Sequence, residues 1–264
     1  VLEQVLLVAI FTLIIHLSET LTYAVRMAGV RLGKLAVALS LSGIILLVSR
    51  TANMVQAPLA GTMIDYARAH PDFALTDQLR IIIGSAALGT LIALLLFPSA
   101  VALASRVIAH FEMAGSVPQL FASVSIQKLH NARRHLRYPK LSMLSKLRIG
   151  GIPKRLVLLN TVVTAIYTIG VLAALLASSL TAEHATTASQ ASGLINGMAT
   201  ILLTVLIDPQ IGLLTDKVLK GEKDAALLHK MFGLLMLSRL AGTLLAQLLL
   251  VPAAYWIKWI VTVM

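Results

Sequence analysis

Six long apolar stretches run along the chain between shorter polar connectors: Leu2–Ala24, Leu35–Met63, Ile81–Ala104, Leu156–Leu180, Ser189–Leu214 and Met231–Val263. Each is long enough for a hydrocarbon core that takes about 20 helical residues to cross. A segment in lipid must satisfy its own backbone N–H and C=O groups, and a helix is the open-ended element that does so. The pattern therefore predicts an all-α integral membrane protein of six transmembrane helices. Pro252 is expected to bend or end the last helix before Tyr255, Trp256 and Trp259, an aromatic group suited to a membrane interface. The first stretch has Glu3 instead of a basic leader, carries Glu19 within it and is followed by no small-x-small site. It is expected to stay as a membrane helix rather than be cleaved.

The connectors supply the orientation. The first, third and fifth hold seventeen of the 22 lysines and arginines, ten of them between Arg106 and Arg155. The second balances Arg68 and Arg80 against Asp65, Asp72 and Asp77, and the fourth has Glu183 and no basic residue. Basic connectors stay on the cytoplasmic side, so both termini are expected outside. Composition agrees: 58% of the 264 residues are hydrophobic and 12% charged, with a mean hydropathy of +0.89. That excludes a soluble enzyme. It also recasts the net charge of +11 as a mark of topology, not of nucleic-acid binding. With no cysteine, disulfides and thiolate-bound metals are excluded as well.

Two sequence echoes suggest an internal repeat. Gln56-Ala-Pro58-Leu-Ala-Gly61-Thr-Met-Ile-Asp65 and Ile207-Asp-Pro209-Gln-Ile-Gly212-Leu-Leu-Thr-Asp216 share Pro-x-x-Gly-x-x-x-Asp at an offset of 151. Gly89-Thr-Leu and Gly242-Thr-Leu match at an offset of 153. A three-helix half (1–104) would then be followed by a basic cytoplasmic connector (105–155) and an inverted copy (156–264), an arrangement found in alternating-access transporters. Pro58, Gly61, Pro209 and Gly212 are the hinge candidates; the plainer reading is that they end helices. Within the connector, Leu129, Ala132, Leu136, Leu141, Leu144 and Leu147 recur at helical spacing among basic residues. That is the pattern of an amphipathic helix on an anionic lipid surface, with a solvated loop as the alternative.

Charged and amide side chains inside membrane helices are costly and mark a cavity or a partner. His16 and Glu19 share one helical face, and Arg50, Asn53 and Gln56 form a stripe at three-residue steps. Asn196 and Asp208 lie in the fifth stretch, Arg239 and Gln247 in the sixth. Arg50, Asn53, Gln56, Asn196, Arg239 and Gln247 are the candidate headgroup path, because a guanidinium meets phosphate oxygens bidentately. His16, Glu19 and Asp208 are candidates for charge compensation or proton exchange. The competing reading is a set of structural ion pairs, with Asp208 facing Arg239 across a short cytoplasmic hairpin. In the transport reading, Arg50 and Arg239 line one hydrated cavity at different depths, one towards each leaflet. His16-x-x-Glu19 lacks the companions of a metal site, so no metal or cofactor is implied. No nucleotide-binding loop or nucleophile motif is present.

Several stretches bear a resemblance to a known family. His16-Leu-Ser-Glu19-Thr-Leu-Thr-Tyr23-Ala-Val-Arg26, Ser49-Arg50-Thr-Ala-Asn53-Met-Val-Gln56-Ala-Pro58, His110-Phe-Glu112 with Gly115-Ser-Val-Pro118, and Asp208-Pro209 with Leu214-Thr-Asp216-Lys217 together resemble the Amj family. These are alternate lipid II flippases of bacterial cell-wall synthesis. The resemblance implies movement of undecaprenyl-pyrophosphate-linked disaccharide pentapeptide (lipid II) from the inner to the outer leaflet of the bacterial cytoplasmic membrane. It leaves the oligomeric state open. Two other classes remain: a membrane-embedded enzyme using Glu19, His16 or Asp208 as acid or base on a polyprenyl-linked lipid, and an ion-coupled small-molecule carrier. In this cysteine-free chain, single cysteines at Glu183 and Arg134 should react with impermeant thiol reagents from outside and inside respectively. Reaction of both from one side contradicts the topology.

Overall fold

The protein is described by a computed structural model covering residues 2–116, 118–119 and 150–264. Among the described residues there are six helical spans and no strand. Helix α1 covers Leu2–Arg31, α2 Leu35–Ala69, α3 Leu75–Ala114 and α4 Lys154–Ser179. The fifth span is built in pieces: α5 Ala185–Gln190, α6 Ser192–Leu202, a π-helical turn Leu203–Ile207, and α7 Asp208–Leu219. The last span, α8, is Ala226–Val263.

The helices outrun the apolar stretches, because a helix continues past the lipid until its polar ends are satisfied by caps and water. Thus α3 carries on through Arg106 and His110, residues the sequence assigned to the connector, and stops at Gly115. There a left-handed φ of 73° lets the Gly115 N–H reach the Phe111 carbonyl. The apolar stripe proposed between Leu129 and Leu147 lies outside the described residues.

The prolines do not act alike. Helix α2 continues through Pro58 and α8 through Pro252 to Val263, so neither breaks its helix as the sequence suggested. Pro209, by contrast, lies one residue beyond the π turn and occupies the first turn of α7. A proline ring excludes the carbonyl four residues back and offers no N–H, and the widened turn accommodates both.

Each half of the chain has a tight helix crossing in which a glycine meets the backbone of another helix. Helix α1 packs along α2 and α3; α4 packs along α8 and α6. At Gly89 on α3, a Cβ would lie 2.4 Å from the Leu13 carbonyl oxygen of α1. At Gly242 on α8, a Cβ would lie 2.5 Å from the Thr161 carbonyl oxygen of α4. Small residues let helix backbones approach closely where lipid supplies no hydrophobic drive between helices.

Packing divides along the membrane normal. One apolar cluster joins Val5, Val8, Met63 and Ile82 to Leu172, Leu176, Leu250 and Ile257, near the N-terminal end of α1. The other joins Tyr23, Met27 and Ile108 to Leu156, Ile207, Met231 and Phe232, near its C-terminal end. Both clusters draw on both halves. Between them lies a belt of buried polar groups: Thr12, His16, Thr20, Ser49, Gln56, Asn160, Thr168, Ser238 and Arg239.

The two crossings predict a sharp contrast. Gly89→Ala and Gly242→Ala force backbone apart and should each destabilise the protein by about 1–3 kcal/mol, the usual cost of overpacking. Gly61→Ala and Gly212→Ala face open space and should stay within about 0.5 kcal/mol. Thermal unfolding in detergent micelles measures both.

Candidate functional site

The polar belt centres on an ion pair. Arg239 Nη2 on α8 donates to Glu19 Oε2 on α1 at 2.8 Å, with only 10% and 12% of the two side chains exposed. The pair joins the two halves of the chain. Its helices bring it to mid-depth: at a rise of about 1.5 Å per residue, Glu19 lies about 18 Å from the C-terminal end of α1 and Arg239 about 20 Å from the start of α8.

Further donors complete the carboxylate's shell. Ser49 Oγ on α2 and Tyr167 OH on α4 both donate to Glu19 Oε1, at 2.7 and 2.9 Å. Arg239 Nε donates to Thr20 Oγ1 at 3.2 Å, while Thr20 itself bonds the His16 carbonyl. Four helices thus converge on one acid. A buried carboxylate is tolerated when its oxygens are paired and hydrogen-bonded in this way.

The structure corrects two expectations here. Asp208 does not face Arg239; it lies 3.7 Å from Arg26 Nη1, at the N-terminus of α7. The π turn and the separate start of α7 direct it towards α1. Nor do Arg50 and Arg239 lie at different depths. Because α8 begins at Ala226, Arg239 is a turn deeper than a start near Lys230 would place it. Ser49 binds the same carboxylate as Arg239, so its neighbour Arg50 is held at that level too.

A small cavity of about 20 Å³ lies beside His16 and Tyr167, bordered also by Asn53, Gln56, Thr168 and Asn196 among others. It has room for about one water molecule. His16, Asn53, Gln56 and Asn196 are thereby brought together from α1, α2 and α6. Neither Arg50 nor Arg239 borders this cavity, contrary to the shared chamber expected for them. Gln56 donates to Thr12 Oγ1 at 2.6 Å. His16 Nδ1 and Asn196 Oδ1 are buried and find no hydrogen-bond partner among the described residues.

Arg50 is exposed on α2, without an ion-pair partner among the described residues, yet within electrostatic reach of Tyr167. A guanidinium facing out at mid-depth is costly in lipid. Gln247 is not part of the group; it donates to the Arg80 carbonyl at 2.9 Å, joining α8 to α3. The hinge candidates Gly61 and Gly212 face open space.

Sequence reasoning missed Ser49, Tyr167, Thr20 and Asn160. Ser49 is one residue off the Arg50 stripe, and a helical turn puts it on the bundle-facing side. Asn160 was open to the same rule that flagged Asn196; its Nδ2 donates to the Leu235 carbonyl and to Ser238 Oγ at 3.0 and 2.6 Å, fastening α4 to α8. Tyr167 and Thr20 gave no signal, since a hydroxyl in a membrane helix commonly bonds its own backbone.

The energetic consequence is asymmetric. Arg239→Gln leaves Glu19 buried and unpaired, and should destabilise the protein by about 3–5 kcal/mol. Adding Glu19→Gln removes the orphaned charge and should restore most of the loss. A double-mutant cycle by thermal unfolding in detergent measures this coupling.

A family profile described as "Alternate to MurJ" matches residues 11–261 of the chain. The chain is similar to a protein of Bacillus subtilis (strain 168) named "Lipid II flippase Amj", with 45% identity over 259 residues, covering 97% of this chain and 96% of that protein. No solved structure matches it. With six apolar spans and a match from end to end of the membrane domain, the chain is a multi-pass membrane protein of the Amj family.

Proposed function

We propose that the protein is a lipid II flippase. It moves the undecaprenyl-pyrophosphate-linked disaccharide pentapeptide from the inner to the outer leaflet of the bacterial cytoplasmic membrane, with both of its termini outside. The observation that carries the reading is the Glu19–Arg239 pair, a carboxylate and a guanidinium buried at mid-depth between the two halves. The relative named a lipid II flippase, at 45% identity over almost the full length, supports the substrate.

The task explains the chemistry. A diphosphate left bare in hydrocarbon costs many kcal/mol, so its route must offer cations and hydrogen-bond donors at depth. Arg50, exposed on α2, is the first contact for a headgroup arriving from the lipid side. Arg239 is the second, at the same depth and reached when Glu19 yields its place. Asn53, Gln56 and Asn196 then serve the uncharged sugar and amide groups, while the polyprenyl tail stays among lipids. Asp208 with Arg26, and Arg31 with His229, tie the halves at the basic end of the bundle. Arg68 donating to the Ser178 carbonyl, and Gln247 to that of Arg80, tie them at the other end.

Parting one set while the other holds would expose the belt to one side at a time. An inverted three-helix repeat suits that motion, and the matched crossings at Gly89 and Gly242 support it.

Purified protein in liposomes should give labelled lipid II access to the outer leaflet and return it chemically unchanged, which separates a flippase from an enzyme. Arg50→Gln, which leaves the Glu19–Arg239 pair intact, should slow this about tenfold or more, since a charged hydrogen bond contributes about 1.5–3 kcal/mol. Arg50→Lys should recover only part, because the charge returns without the fork. Unaltered flipping by Arg50→Gln contradicts the assigned path.

A further inference from the structure

The pairing of Glu19 creates a problem that the substrate itself must solve. Arg239 has one acidic partner among the described residues, and a diphosphate that takes its guanidinium must displace the carboxylate. The groups left around Glu19 are then Ser49 and Tyr167, both neutral donors, in a belt closed above and below by apolar clusters. A carboxylate so placed keeps two hydrogen bonds but loses its counter-charge, and an uncompensated buried charge is costly. One turn away on the same face is His16, 2% exposed, with Nδ1 unpartnered among the described residues and its side chain bordering the one-water cavity.

We propose that Glu19 is a proton-binding site linked to substrate: it takes up one proton when a lipid diphosphate occupies Arg239 and releases it when the diphosphate leaves, with His16 relaying the proton from the cavity. This rests on the flippase reading of the same site. The step balances simply. A proton from the bulk solvent, passed on by a water in the cavity that is left unchanged, reaches the His16 imidazole, and His16 returns to its neutral form as one proton passes to the Glu19 carboxylate. Arg239 exchanges one anionic partner for another throughout, so its charge is never left unpaired in the belt.

Among the described residues, Glu19 is the one carboxylate at this point, and His16 is the base beside it. Glu19 is faced by Arg239 on α8, Ser49 on α2, Tyr167 on α4 and His16 on α1 itself, while Arg50 on α2 lies towards Tyr167 and Tyr23 towards Arg239. On α3, which packs against α1, the adjoining residues Gly89, Thr90 and Ala93 carry no charge. The π turn contributes Leu203–Ile207, also uncharged. Asp208, the other candidate acid, is engaged with Arg26 near the basic end and is outside this group.

The test is proton uptake on binding undecaprenyl diphosphate, which carries no carboxyl group of its own. Full-length protein in nanodiscs is titrated calorimetrically in buffers of differing ionisation heat, above the range in which the diphosphate itself titrates. The wild type should take up about one proton more per ligand bound than Glu19→Gln does. The wild type alone supplies a second measurement, should that variant fold poorly: infrared difference spectra should gain a protonated-carboxyl band on binding. In stopped-flow, His16→Gln should keep the stoichiometry but slow the uptake at least tenfold. Binding without proton uptake and without that band overturns the proposal while the flippase reading stands. An unchanged uptake rate in His16→Gln overturns the relay. No binding of the diphosphate lipid overturns the headgroup reading, and this proposal with it.

Discussion

A carboxylate and a guanidinium held together in the low-dielectric middle of a membrane bundle constrain everything around them. Glu19 and Arg239 come from different halves of the chain, so their attraction pulls α1 against α8 at mid-depth. Each would be costly there alone, and the pairing offsets that cost. The same low dielectric strengthens hydrogen bonds to the pair's own remaining lone pairs and N–H groups. Ser49, Tyr167 and Thr20 supply those bonds, which brings α2 and α4 to the centre as well.

The apolar clusters and the glycine crossings follow from this centre. A polar belt is stable in a bilayer where protein or water, and not hydrocarbon, covers it. The clusters around Ile82 with Leu172 and around Met27 with Phe232 close the two ends. Gly89 and Gly242 bring α3 onto α1 and α8 onto α4 closely enough to seal the sides. What stays unsealed is informative. His16 Nδ1 and Asn196 Oδ1 lack partners among the described residues, and Arg50 faces outward at the depth of the pair.

Much of this was legible beforehand. Six spans follow from the length of the apolar stretches, and the intramembrane charges stand out because hydrocarbon tolerates so few. Which charges pair could not be read. The partner of Arg239 depends on where α8 starts and on how a π turn redirects Asp208, and neither leaves a clear mark on periodicity. Pro58 and Pro209 occur in matching motifs, yet only Pro209 adjoins an altered helical turn; the surrounding packing decides that. Donors such as Tyr167 are silent for a different reason. A hydroxyl acquires a role only when another helix presents an acid to it.

The central claim is that Arg239 changes partners, holding Glu19 when empty and a diphosphate when loaded. A cryo-electron-microscopy structure of the protein with bound lipid II tests it most directly. The account predicts the diphosphate within hydrogen-bond distance of the Arg239 guanidinium, Arg50 close by, and Glu19 turned away towards Ser49 and Tyr167. A bound diphosphate elsewhere, with the Glu19–Arg239 pair intact at its 2.8 Å separation, would contradict it.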